Sequence, residues 1–384
     1  MIKNFKNNII SFLFIIIILY GLCFSFSNAW LNIKKISKDI ENKGIVISIK
    51  NFEKEYYSIF YKEQYWLDWY SIVQLCFFKH ETRNFEVLKA NNGQLYLGEN
   101  SSVDLEKNKQ CLVQIKKVKE ETERNKGNFV FIQLPFKNYG KVNELKWYLQ
   151  DCCEEDEDTL LKMLNDNSID NLDLRNFSEC RQYYRTDHHW TVEAAFKASA
   201  YIVNYISNKF KLCIENKDFY SNIKNYKLFS NNNSFLGSIG VKVGKYYTGK
   251  DDFVIYNPSF DTCFSFKHYI NGKITLDKIG DFWLSFIDES KLFDKDYLNK
   301  FLSLMYTANN ESVVKNISSK NHNKVLLITN SYGRALAPYL SLYFKELRFL
   351  DPQKGRYNKS IINYINSYKP DFVFYAYNDK LIEL

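Results

Sequence analysis

Short apolar runs alternate with amphipathic stretches along most of the chain. Residues 129–134 form one apolar run, residues 325–329 a second and residues 372–377 a third. Apolar runs of this length are typical of strands buried on both faces, while the helical spacing around residues 105–118 and 191–209 predicts amphipathic helices. The alternation predicts an α/β fold: a three-layer α/β/α sandwich with a mostly parallel central sheet.

The alternation stops between about residues 215 and 320. This stretch is rich in Asn, Lys, Phe and Gly and contains only short candidate strands, such as residues 252–256 and 264–274. We expect an irregular, β-containing insertion that lies beside the active site.

The N-terminal segment has the pattern of a secretory signal. Lys3 and Lys6 precede an apolar run over residues 9–24, and the small residues Ser25, Ser27 and Ala29 follow it. Two outcomes stay open, cleavage after Ala29 and retention of residues 1–29 as an uncleaved membrane anchor. The basic flank predicts export of the remainder. We expect a stalk over residues 30–55 and a catalytic domain over residues 56–384, anchored to or secreted from the extracytoplasmic face of the membrane.

Composition narrows the classes of function. The chain of 384 residues is 46% hydrophobic, which predicts a folded domain, and its net charge of +8 comes from scattered lysines rather than from the basic stripe of a nucleic-acid binder. The 17% aromatic content suits a core and also suits sugar stacking. The eight cysteines contain no C-x-x-C pair, so they predict no metal site.

Residues 186–191, Thr-Asp-His-His-Trp-Thr, are the strongest candidate for chemistry. Asp187 and His189, two residues apart on a loop, have the residue types that orient and supply a general base. A capping loop is the structural alternative, because Thr191 opens an amphipathic helix. A metal site is the chemical alternative, but the remaining histidines have no ligand-like spacing.

Ser331 is the candidate nucleophile. The apolar run 325–329 stops at Asn330-Ser331-Tyr332-Gly333, so the hydroxyl is expected at the carboxyl edge of the sheet, beside N–H groups of a helix start such as that of Tyr332. An N-cap serine is the alternative interpretation. Pro338 predicts that this helix is short.

The loop over residues 236–240 is a candidate second source of oxyanion donors. Gly237 permits close backbone approach, and Ser238 follows it. A plain turn is the alternative.

Residues 183–191, Tyr-Tyr-Arg-Thr-Asp-His-His-Trp-Thr, followed by Ala194 and Ala195, resemble the signature of the DHHW proteins and of the alginate O-acetyltransferase-like branch of the SGNH hydrolase superfamily. The resemblance extends in order over roughly residues 50–380. It implies that Asp187 orients His189, that His189 is the base and that Ser331 is the nucleophile, with no cofactor.

Three positions depart from the family pattern. Asn330 stands where an aspartate usually precedes the serine, and Ala194 replaces a common glycine. Residues 350–353, Leu-Asp-Pro-Gln, stand where an Asp-Leu-Arg-like segment usually follows the helix after the serine, which leaves any arginine role to Arg348 or Arg356. Trp190 has two interpretations, stacking on a sugar ring and packing under its own loop.

The resemblance implies an exported O-acyltransferase, specifically an O-acetyltransferase, that acts on a cell-surface or secreted polysaccharide through an acyl-serine. It also implies a membrane-bound O-acyltransferase partner that delivers the acetyl group. Two alternatives stay open: a carbohydrate acetylesterase with the same triad, and an inactive polysaccharide-binding or assembly protein, which Asn330 motivates. No nucleic-acid partner is expected.

Overall fold

The computed structural model describes residues 63–98, 103–138, 145, 154–294, 299–307, 310–353, 356–357 and 359–378, with five isolated positions between 12 and 20. The chain divides into two compact units, Met1–Cys76 and Phe77–Leu384. In the first unit, helix α1 spans Glu63–Cys76. The predicted signal or anchor and the stalk fall almost wholly outside the described residues. Within the described part of the chain, no helix has both the length and the apolar character needed to cross a bilayer.

The second unit contains both helices and strands. Its helices are α2 (Leu105–Arg124), α3 (Glu154–Asp166), α4 (Val192–Lys209), α5 (Lys217–Ser221), α6 (Gly240–Val243), α7 (Lys245–Thr248), α8 (Phe282–Phe286), α9 (Glu289–Leu292), α10 (Gly333–Leu340) and α11 (Ile361–Tyr368). Its strands are β1 (Glu81–Thr82), β2 (Val87–Lys89), β3 (Leu95–Leu97), β4 (Asn128–Gln133), β5 (Asn171–Asp173), β6 (Tyr226–Phe235), β7 (Asp251–Pro258), β8 (Phe264–Ile270), β9 (Lys273–Gly280), β10 (Glu311–Asn316), β11 (Lys324–Thr329), β12 (Glu346–Leu350) and β13 (Phe372–Tyr377).

An eight-stranded sheet in the order β5-β4-β13-β11-β12-β10-β8-β9 forms the centre of this unit. The strands from β5 to β12 run parallel, and β10, β8 and β9 extend the sheet as antiparallel strands. Two smaller sheets, β1-β2-β3 and β6-β7, lie outside it. Because parallel strands present their carboxyl ends at one edge, the turns after β4, β11 and β13 meet there.

Helices cover both faces of the central sheet. On one face, Phe131 of β4 and Tyr375 of β13 share a buried cluster with residues of α2, α3 and α11. On the other face, the adjacent residues Ile132 and Phe374 share a larger cluster with residues of α4 and α10. Alternate side chains point to opposite faces of a strand, so these apolar runs pack against two helical layers. The predicted three-layer α/β/α sandwich with a mostly parallel sheet is confirmed.

The expectation for residues 215–320 needs correction. Much of this stretch is not an irregular insertion, because β8, β9 and β10 add three antiparallel strands to the central sheet. In β8, Phe264, Phe266 and His268 are buried and alternate with half-buried residues, as expected of a strand with one face on the core. A strand pairing of this kind depends on contacts between distant segments, which the local pattern does not specify.

Candidate active site

Ser331 lies in the tight turn between the buried strand β11 and helix α10. The N–H of Gly333 donates to the carbonyl of Asn330 (3.0 Å), and the N–H of Arg334 donates to the carbonyl of Ser331 (3.2 Å). A Cβ at Gly333 would lie 2.2 Å from Cγ2 of Thr329, so the turn requires glycine at this position. Helix α10 ends at Leu340, two residues after Pro338, as expected of a short helix.

The loop before α4 brings Asp187 and His189 to the same place. Thr191 caps α4 through its side chain, which accepts from the N–H of Ala194 (3.1 Å). His189 Nε2 lies 2.8 Å from Ser331 Oγ, and His189 Nδ1 lies 2.5 Å from Asp187 Oδ1. Because a carboxylate only accepts, Nδ1 carries the proton and Nε2 is the acceptor that faces the serine hydroxyl. Serine, histidine and aspartate therefore form one continuous hydrogen-bonded chain.

Asp187 is fully buried, and both of its oxygens are held. Oδ1 also accepts from the N–H of His189 (2.9 Å), and Oδ2 accepts from the N–H of Ser238 (2.6 Å). Burial alone would raise the pKa of Asp187, but the adjacent His189 and His188 and these hydrogen bonds hold that pKa well below its usual range. The carboxylate is thus kept ionised, which is the state that orients an imidazole.

Several proteins of known structure share the fold of this chain. No protein-family model and no curated protein sequence matches the chain. Two structures of Bacillus cereus PatB1, one of them with a sulfonyl adduct, are 18% identical over 76% of this chain and 93% and 95% of theirs, with TM-scores of 0.60 and 0.61. A DHHW family protein from Eubacterium siraeum is 14% identical over 76% of this chain and 89% of its own, with a TM-score of 0.55.

The chain has the fold of a DHHW protein. The resemblance that residues 183–191 predicted is therefore confirmed at the level of the fold. The O-acetyltransferase domain of Pseudomonas putida AlgJ also matches, at 11% identity and a TM-score of 0.45, which is too distant to support a conclusion about this chain.

The ring of His189 contacts two other rings. Phe301 is buried and stacks on it, with ring centroids 3.9 Å apart and an interplanar angle of 16°. The ring of His188 also contacts it, in a tilted arrangement with centroids 3.9 Å apart and an interplanar angle of 37°. No motif marks Phe301 in the sequence, since it lies 112 residues after His189 in a segment without periodicity. This contact could be found only from the folded structure.

His188 also lies at this site, next to the Asp187 carboxylate. Its Nδ1 lies 2.7 Å from Ser238 Oγ and 3.6 Å from Asp187 Oδ1. Burial and then the neighbouring His189 lower the pKa of His188, with Asp187 acting in the opposite direction. His188 is therefore held neutral, which leaves the Asp187 carboxylate to pair with His189.

Asn330 holds the turn by hydrogen bonds alone. Its Oδ1 accepts from the N–H of Tyr332 (3.1 Å), and its Nδ2 donates to Oδ1 of Asn378 (2.5 Å), a buried residue that follows β13. An amide has one acceptor and one donor group, and both are used here, so the turn is maintained without the charge of an aspartate. Asn378 was not among the predicted site residues.

The predicted oxyanion donors need correction. The N–H of Gly237 donates to Thr186 Oγ1 (2.8 Å), that of Ser238 donates to Asp187, and that of Tyr332 donates to Asn330. A Cβ at Gly237 would lie 2.2 Å from Cβ of Asp187. Glycine at this position thus permits the close approach that the sequence predicted, but the partner is Asp187 rather than a substrate.

Two further predicted site residues serve the fold. Trp190 is fully buried and donates from Nε1 to the carbonyl of Tyr332 (3.2 Å), so it packs under the loop and cannot stack on a sugar. Arg348 pairs with Glu346 (2.7 Å) and lies 3.8 Å from the ring centroid of Tyr368, against α11. The Arg348 side chain therefore points to the face of the sheet that α11 covers, whereas α10 covers the opposite face. The position of Arg348 along β12 decides to which face its side chain points.

One arrangement of candidate metal ligands coincides with this site. Ligand atoms of Asp187, His188 and His189 lie within 4.8 Å of one another. Two ligands of a tetrahedral zinc ion lie about 3.3 Å apart, given metal–ligand bonds of about 2.0 Å. The 2.5 Å between Asp187 Oδ1 and His189 Nδ1 is a direct hydrogen bond and fits the triad better than a shared ion.

Proposed function

We propose that the protein is an extracytoplasmic O-acyltransferase that moves an acetyl group to a hydroxyl of a cell-surface or secreted polysaccharide through an acyl-Ser331 intermediate. The observation that carries this proposal is the chain from Asp187 through His189 to Ser331, with spacings of 2.5 and 2.8 Å. A serine hydroxyl at hydrogen-bond distance from an oriented imidazole is the arrangement of an activated nucleophile.

The first half-reaction forms the acyl-enzyme. Ser331 Oγ attacks the carbonyl carbon of the acetyl donor while His189 Nε2 takes the hydroxyl proton. The negative charge that develops on the carbonyl oxygen lies near the start of α10, where the backbone N–H of Ser331 and the positive end of the helix dipole stabilise it. The C–O or C–S bond to the donor then breaks, and the leaving group takes the proton from His189.

The second half-reaction reverses these steps with a different nucleophile. His189 Nε2 removes the proton of an acceptor hydroxyl, whose oxygen attacks the acyl-Ser331 carbonyl carbon. Collapse of the tetrahedral intermediate breaks the bond to Ser331 Oγ and returns the proton to that oxygen. A sugar hydroxyl as acceptor gives transfer, and water gives hydrolysis.

The substrate and the setting rest on the sequence. We infer the acetyl group and the polysaccharide acceptor from the resemblance of residues 183–191 to the alginate O-acetyltransferase-like branch. The membrane-bound partner that supplies the acetyl group is inferred from the same resemblance. Export rests on the basic and apolar pattern of residues 1–29. In that setting an acetyl donor must cross the bilayer, which is the reason to propose such a partner.

Acetyl esters offered with and without an oligosaccharide acceptor test the proposal. We expect acetylated oligosaccharide when the acceptor is present, and loss of this product in Ser331→Ala. Release of acetate without acetylated sugar would support the esterase alternative instead.

Labelling tests the third alternative, an inactive binding protein. A structure of Bacillus cereus PatB1 carries a sulfonyl adduct, which suggests sulfonyl electrophiles as probes for Ser331. We expect an adduct on Ser331, and a folded protein that forms none would contradict both enzymatic functions.

A further inference from the structure

A buried ammonium group lies behind the loop that carries Asp187. Lys137 follows the carboxyl end of β4 by four residues and is 3% exposed. Its Nζ donates to the backbone carbonyls of Tyr184 (2.6 Å), Arg185 (2.9 Å) and Asp187 (2.9 Å). An ammonium group has three N–H donors, so each donor has one carbonyl of this loop.

Three buried carbonyls that converge on one point need a hydrogen-bond donor between them. Carbonyl oxygens carry partial negative charge and, when buried, require a hydrogen-bond partner. In residues 184–187, three of the four carbonyls turn inward to the same atom, which an apolar neighbour at position 137 could not allow. The third carbonyl belongs to Asp187, so Lys137 fixes the backbone of the residue whose carboxylate orients His189.

A carboxylate holds the N–H groups of the same loop. Asp251, the first residue of β7, accepts from the N–H of Arg185 (2.9 Å) and from both the N–H (2.8 Å) and the hydroxyl (2.6 Å) of Thr186. The carbonyls of the loop therefore accept hydrogen bonds from the Lys137 ammonium group, and its N–H groups donate to the Asp251 carboxylate. Such opposed charges fix a short peptide segment more tightly than neutral partners do, because charge-assisted hydrogen bonds are stronger.

We propose that Lys137 is a positioning residue for the Asp187–His189 pair, acting through the three loop carbonyls and opposed by Asp251. This inference rests on the proposed function for its catalytic consequence. Lys137 is too deeply buried to contact a polysaccharide. Replacing it is expected to lower kcat roughly ten- to hundredfold while leaving KM unchanged, because a small misplacement of a catalytic pair lowers the rate without altering substrate contacts.

The test follows the proton between His189 Nδ1 and Asp187 Oδ1, which gives a downfield resonance in the ¹H NMR spectrum. This measurement needs no substrate. Asp187→Asn assigns this resonance by abolishing it. Lys137→Met keeps the length of the side chain and removes the three donors. Lys324→Met is the matched control, since Lys324 Nζ also donates to a carbonyl, that of Tyr368 (3.0 Å), but at the amino end of β11, away from Ser331.

We expect Lys137→Met to lose or shift this resonance and Lys324→Met to retain it. A folded Lys137→Met protein with an unchanged resonance and unchanged kcat would overturn the proposal. If Lys137→Met does not fold, Lys137→Gln takes its place, because glutamine donates N–H groups without carrying a charge. A folded Lys137→Gln protein with a weakened resonance supports the positioning role. If neither variant folds, Lys137 serves the fold as a whole and the proposal is wrong. Because the resonance is read without a substrate, a wild-type protein that shows it but transfers no acetyl group contradicts the proposed function alone.

Discussion

At the scale of single residues, the account depends on the ionised carboxylate of Asp187. Asp187→Asn would keep the size of the side chain but place an amide against His189 Nδ1, which favours the wrong imidazole tautomer. By the behaviour of other Ser-His-Asp triads we expect kcat to fall about 10⁴-fold. Steady-state rates with an acetyl ester measure this. Asp170→Asn, which alters an exposed pair with Lys209, is the control and should leave the rate unchanged.

Phe301 provides a second prediction at this scale. Phe301→Leu keeps an apolar side chain in the site and removes the ring that stacks on His189. An aromatic contact of this kind contributes about 1 kcal/mol, so we expect kcat to fall roughly fivefold. The matched control is Phe282→Leu, since Phe282 is also buried and packs on an aromatic ring, that of Tyr339. Equal losses of activity in the two variants would show that the effect comes from general loosening of the core.

At the scale of elements, the segment over residues 236–240 orients Asp187 by close approach. Gly237→Ala would place a Cβ 2.2 Å from Cβ of Asp187, so the loop must move and Ser238 must leave the carboxylate. We expect kcat to fall about 10²-fold. Gly280→Ala, whose Cβ would meet the Leu284 side chain, with Cδ2 at 2.5 Å, should lower the thermal stability but not the rate. Normal activity in folded Gly237→Ala would contradict this role.

Some elements of the fold could be predicted from the sequence, and others could not. The apolar runs that became β4, β11 and β13 were predicted within about a residue, because a strand buried on both faces has an unmistakable local pattern. The pairing of β8 and β10 and the stacking of Phe301 were not predicted, because each depends on contacts between distant segments. Arg348 was a candidate through the family resemblance, and sequence order does not reveal on which face of β12 its side chain lies.

At the scale of the whole molecule, the antiparallel extension of the sheet gives stability a pH dependence. His268 of β8 is buried, and its Nδ1 lies 2.9 Å from the carbonyl of Glu311 in β10. Burial lowers the pKa of His268, while the bond to Glu311 acts in the opposite direction. The unfolded chain therefore binds this proton more readily, and the free energy of unfolding should fall as the pH decreases below about 6.5.

His268→Asn keeps an N–H donor for the carbonyl of Glu311 and removes the titratable imidazole group. We expect the wild type to lose stability relative to this variant between pH 7 and pH 5, by at most about 1.4 kcal/mol per pH unit. Denaturant unfolding at several pH values measures the difference. His322→Asn, at an exposed position, should not produce it. A parallel pH dependence in the wild type and His268→Asn would show that His268 is not the group responsible.

The most direct test of the central claim is to detect the acyl-enzyme. The folded protein is mixed with an activated acetyl ester, quenched in acid during the first turnover and digested, and the peptide that contains Ser331 is examined by mass spectrometry. The account predicts one added acetyl group on Ser331, absent in Ser331→Ala, that disappears when an oligosaccharide acceptor is added before the quench. Turnover of the ester by a protein whose Ser331 never carries the acetyl group would contradict it.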